Sequence, residues 1–175
     1  IWSCKETEMP SSKSGVSFAL RLLPSVAFAL CLLSPSPGDA TLVIEPFIVT
    51  AGGAHTCAVW TDGLVRCAGH NGNGQLGDGT RTGRTKSVKV ADLTDVVHAD
   101  AGYDHTCAVT SAGLVKCWGN NNRGALGDGT TTSRLKPVAV VGLGGAAVEV
   151  SAGYGFTCAL MADKSVRCWG TNGMG

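Results

Sequence analysis

The sequence predicts an all-β chain assembled from repeated four-stranded antiparallel units. Glycine supplies 25 of its 175 residues, roughly twice the usual ~7% share. Aromatic residues make up 6% and charged residues 15% of the chain, a balance that favours turns over long helices. The segment from Ala51 to Leu93 aligns without a gap to Ala101 to Leu143, with more than half of the positions identical, and a third copy opens at Ser151 with one further residue of offset. A period of about 50 residues marks a supersecondary unit that buries its faces only against its neighbours.

Each copy is read by its middle version. His105-Thr-Cys-Ala-Val-Thr110 and Leu114-Val-Lys-Cys-Trp-Gly119 are two short β-type runs separated by Ser111-Ala112-Gly113, which is a hairpin signal. With a three-residue loop, Thr110 faces Leu114 and Cys107 falls opposite Cys117. Such a loop places its last residue in the left-handed region, where glycine carries no steric penalty, and Gly63 and Gly113 occupy that position while Lys164 departs from it. Val96 to Ala99 supplies a strand before the hairpin and Pro137 to Val141 a fourth after the glycine-rich loop. Four short strands per repeat is the content of a propeller blade. Alternation puts His105, Cys107 and Val109 on one face and Thr106, Ala108 and Thr110 on the other. Both faces are small or apolar, as in sheets covered on both sides.

The chain begins at Ile1 and stops at Gly175 inside a motif already shown twice, so it reads as a piece of a longer protein whose open edges would leave it marginal or self-associating in isolation. Residues 1–8 read as an upstream non-native segment. From Met9 to Ala40 a basic start with Lys13 and Arg21, an apolar run from Leu22 to Leu33 and small residues at Gly38 and Ala40 form the pattern of a secretory signal peptide. The run is interrupted by Pro24 and is too short for a ~30 Å membrane span. Residues 41–50 read as a linker or first strand, and 51–175 as repeats divided at 51–100, 101–150 and a truncated 151–175. An exported protein would be extracellular or periplasmic, with no membrane association once the signal is removed.

Loss of that segment removes Cys4 and Cys31 and leaves six cysteines spaced by ten: Cys57 with Cys67, Cys107 with Cys117, and Cys158 with Cys168. Constant spacing, opposite placement and an oxidising compartment predict three cross-strand disulfides, with pairs of buried thiols as the alternative. A zinc site at His55, Cys57 and Cys67 fails in the third copy, where Phe156 stands in the histidine slot, and it lacks a clear fourth ligand. The slot that takes both imidazole and phenyl reads as a packed position. Gly77-Asp-Gly-Thr80 and Gly127-Asp-Gly-Thr130 are turn chemistry and match no phosphate loop. No nucleophile elbow or other catalytic pattern is visible, so the chain is expected to be non-enzymatic and to need no cofactor. A formal net charge of +1 gives no reason to expect a nucleic-acid partner. Arg81, Arg84 and Lys86 form a local basic stretch with Lys89, read either as a solvated loop or as a contact for an acidic partner.

The run Ala101-Gly102, His105-Thr-Cys-Ala-Val, Val115-Lys-Cys-Trp-Gly119, Asn121, Gly124, Leu126-Gly-Asp-Gly-Thr130, Arg134 and Pro137-Val138 resembles the regulator of chromosome condensation repeat family. Kelch repeats share the period, but their paired glycines should recur and Gly52-Gly53 occurs in the first copy alone. Ala68 departs from the pattern where Trp118 and Trp169 stand, so the first blade lacks a large apolar anchor between sheets. The resemblance implies a β-propeller, seven-bladed when complete, of which this chain is part. It also implies a platform for protein partners. Some secreted relatives cover enzyme active sites, while the nuclear member exchanges nucleotide on a small GTPase and docks on chromatin. The expectation is an exported binding module that meets a protein or glycan through loops Asn71 to Lys86 and Asn120 to Lys136. The alternatives are an exchange regulator of a small GTPase, or the binding domain of a larger enzyme continuing past Gly175.

Overall fold

A computed structural model of the protein describes residues 43–173, and the segment from Met9 to Ala40, with Cys4 and Cys31, lies outside them. The first sheet contains β1 (Pro46–Ala51), β2 (His55–Trp60), β3 (Val65–Gly69) and β4 (Arg84–Lys89). The second contains β5 (Val96–Ala101), β6 (His105–Thr110), β7 (Val115–Gly119) and β8 (Arg134–Ala139), and the third β9 (Ala147–Ala152), β10 (Phe156–Met161) and β11 (Val166–Gly170). Strands pair antiparallel in chain order within each sheet. These are propeller blades.

The hairpin register is the expected one: Cys57 pairs with Cys67, Cys107 with Cys117 and Cys158 with Cys168. Gly63 and Gly113 adopt φ of 72° and 75°, and Lys164 is held in the same left-handed conformation at 71°, which costs a side-chain-bearing residue about 1 kcal/mol or more. Two strands differ from expectation. The strand before the hairpin extends to Ala101, because Ala101 pairs with Thr106. The fourth strand runs Arg134–Ala139 and not Pro137 to Val141, because Arg134 pairs with Gly119 across a register shift and the strand is already aligned when it leaves the glycine-rich loop.

Burial follows the position of each blade in the stack. All six residues of β6 are buried, because the second sheet is covered on both faces. On β2 the face carrying His55, Cys57 and Val59 is buried against the second sheet, while Thr56 on the opposite face is exposed. On β10 the phase reverses: Thr157, Ala159 and Met161 are buried, and Phe156 is 44% exposed. Two apolar cores fill the gaps between sheets. One joins Val59, Leu76, Val90 and Leu93 with Ala108 and Trp118, the other Val109 and Leu126 with Val150 and Met161.

Candidate functional site

The polar groups that join the blades repeat in the same geometry. Trp118 Nε1–H and the Thr106 hydroxyl both donate to the carbonyl of Gln75, at 2.9 and 3.0 Å. Because the Thr106 proton is committed there, its oxygen accepts from Nε2–H of His55, at 2.8 Å. The same arrangement joins the next pair: Trp169 Nε1–H at 2.8 Å and the Thr157 hydroxyl at 2.9 Å donate to the Ala125 carbonyl, and His105 Nε2 lies 2.8 Å from Thr157 Oγ1. Burial pushes the pKa of His55 down to about 4, helped by His105 and His70. Burial likewise pushes His105 down to about 4 against the opposing pull of Asp100. Both imidazoles are therefore neutral structural donors. Gly52 and Gly102 permit this approach, since a Cβ on either would lie within 2.6 Å of both the histidine ring and the next blade's backbone. His55, Cys57 and Cys67 make no ligand set, because His55 Nε2 is taken by Thr106 and the two sulfurs face each other at disulfide distance.

The three cysteine pairs sit at disulfide-bonding distance, with Cα separations of 4.1, 4.1 and 4.0 Å. The first two are buried beneath neighbouring blades.

The glycine-rich loops are held by their own side chains. Asn71 Nδ2 donates to Asp78 Oδ1 at 3.1 Å and to the carbonyls of Thr80 and Thr82. Its Oδ1 accepts from Leu76 N–H, and Asn121 repeats the pattern around Asp128. Burial would raise the Asp78 carboxyl, but Thr80, Arg84 and Asn71 together hold it below the usual range. Arg84 is thus engaged, forming an ion pair with Asp78 at 3.1 Å. Arg81 Nη1 donates to the Gly72 carbonyl at 2.6 Å, and Lys86 is exposed on β4. The basic stretch is a partly internal network at the base of its loop.

Antiparallel order places the turns 52–54, 102–104 and 153–155 on the same edge of the blades as loops 70–83 and 120–133. Two exposed tyrosines stand on this edge. Tyr103 (53% exposed) and Tyr154 (65%) come from equivalent turns, with ring centroids 4.8 Å apart and planes tilted by 58°. The Tyr103 ring lies over Gly53, where a Cβ would meet it at 2.7 Å. Arg123, from the second long loop, runs its stem over Gly155 and sets its guanidinium 5.8 Å from the centre of the Tyr154 ring. Asp104 and Asn120 complete the cleft. Tyr103 and Tyr154 were not singled out by the sequence, and Arg123 was included only as part of the loop Asn120 to Lys136. The signal available was a variable residue, Gly53, Tyr103 or Tyr154, inside an otherwise constant Ala-Gly frame.

A family model described as the regulator of chromosome condensation (RCC1) repeat matches residues 62–109 and 112–160, and a second model of the same description matches 48–75, 96–125 and 147–175. The chain belongs to the RCC1 repeat family. Among solved structures, human WBSCR16 is similar at 23% identity and a TM-score of 0.67, over 78% of this chain and 36% of that one. Yeast RCC1 (Prp20), in its structure with Kap60, is similar at 20% identity and 0.66, over 75% and 31%. Prp20p from Saccharomyces cerevisiae, in a further structure, is similar at 19% and 0.57, over 69% and 31%. At these identities the likeness concerns the fold. The RCC1-repeat chain spans about a third of the length of these relatives. No curated protein matches it significantly.

Proposed function

We propose that the chain is an exported, non-enzymatic binding module, and that the edge carrying Tyr103, Tyr154 and Arg123 is its platform for a protein partner. The observation that carries this reading is the exposed tyrosine pair beside an arginine on a rigid scaffold. Tyrosine and arginine are enriched among the few residues that dominate binding energy at protein interfaces. Blades locked by buried hydrogen bonds hold that edge in one shape, so little ordering cost is left to binding. In an affinity capture with the full-length protein, followed by titration of the captured partner, changing Tyr103 and Tyr154 together to alanine is expected to weaken binding about thirtyfold. An unchanged dissociation constant would remove this edge from the interface.

Export is supported by the three cysteine pairs at bonding distance, since disulfides persist in oxidising compartments. Peptide mapping of the protein under non-reducing conditions is expected to recover Cys57 with Cys67, Cys107 with Cys117 and Cys158 with Cys168 as linked peptides. Each bridge should contribute about 2 to 4 kcal/mol that is lost on reduction. Six freely alkylated thiols would contradict export.

A second reading takes its support from the Prp20p structure, which was described together with binding to Gsp1p and histones. A regulator of a small GTPase would accelerate nucleotide release, and that assay separates it from a passive platform.

A further inference from the structure

We propose that the cleft between Tyr103, Tyr154 and Arg123 receives a single carboxylate side chain, an Asp or Glu of the protein partner. This rests on the platform reading above and names what the platform recognises. Arg66, Arg84 and Arg134 are paired with Asp62, Asp78 and Asp128, and Lys136 with Asp92. Arg123 has no such carboxylate among the described residues, and it is exposed. It is nevertheless positioned, because its stem lies against Gly155, where no side chain competes, and its guanidinium sits over the Tyr154 ring. A planar fork of five donors held in place is suited to bidentate capture of a carboxylate. Tyr103 and Tyr154 line the same cleft, and their phenols are hydrogen-bond donors available to a bound carboxylate.

Asp104 lines the same cleft, its Oδ1 accepting from Gln75 Nε2 at 3.3 Å. A negative charge there offsets part of that of Arg123, and it weighs more heavily against a phosphate, a sulfated glycan or a run of acids than against a single carboxylate.

The test is selection of random-sequence peptides on the full-length protein, followed by affinity measurement of the peptides recovered. Their consensus is expected to contain one Asp or Glu whose change to Asn or Gln weakens binding about tenfold or more to the native protein. The same change should weaken binding less than about twofold to Arg123→Gln, the coupling expected of a direct pair. Arg123→Lys is expected to recover only part of the affinity, since it lacks the fork. A consensus without an acid, or an acid whose removal costs as much in Arg123→Gln, overturns the proposal. If such peptides are still lost from the variant with alanine at both tyrosines, the platform stands and only the carboxylate assignment falls. Peptides indifferent to both tyrosines overturn the platform itself.

Discussion

Folding stability is expected to fall by about 3 kcal/mol for each of His55 and His105 as the pH drops from about 6.5 to about 4. In the unfolded chain both imidazoles titrate near the ordinary value of 6.5, whereas in the folded chain burial holds them near 4. Between those values the unfolded state binds protons that the folded state does not. Stability is therefore complete above about pH 6.5, declines through the window and levels off below about 4. The Asp78 and Asp128 carboxyls, both held below the usual range, add their own loss at still lower pH. Urea denaturation at a series of pH values measures the slope. Changing both histidines to glutamine keeps a side-chain donor without a titrating group, and is expected to flatten the curve between pH 6.5 and 4 even if neutral-pH stability falls. An unaltered slope in that variant would remove the two histidines as its cause.

Trp118→Ala is expected to cost about 3 to 5 kcal/mol. The indole is fully buried between the first and second sheets, and the substitution removes both its volume and the bond from Nε1 to the Gln75 carbonyl. The surroundings collapse poorly into the gap. Gly77 lies against the indole, and filling from that side is barred because its φ of 67° disfavours any side chain. Ala68, the natural counterpart in the first blade, lies on a face that no described sheet covers. Comparing denaturation midpoints of Trp118→Ala and Ala68→Trp tests the difference: the first should fall steeply and the second should change little. A loss below about 1 kcal/mol for Trp118→Ala would show that the Gln75 joint does not hold the sheets together.

The blade content, the hairpin register and the pairing of the cysteines were legible in the sequence because they are local, fixed by a ten-residue spacing and a three-residue loop. The His55 slot was legible as a packed position, but its hydrogen bond was not, since Thr106 lies in the next repeat. Arg84 is legible in the sequence as part of a basic stretch, whereas its ion pair with Asp78 across the loop is not. The grouping of Tyr103 and Tyr154 with Arg123, which lies in the expected contact loop Asn120 to Lys136, was not legible for a related reason. They come together only when adjacent blades stack, and two of them fall in turns that a repeat alignment treats as its least informative positions.

Whether one edge of the blades meets a protein partner is read out by hydrogen exchange of the full-length protein with and without its captured partner. Slowed exchange is expected in the turns 102–104 and 153–155 and in the loop 120–133, with the hairpin loops 111–113 and 162–164 on the opposite edge unchanged. Slowed exchange confined to those hairpin loops would contradict that expectation.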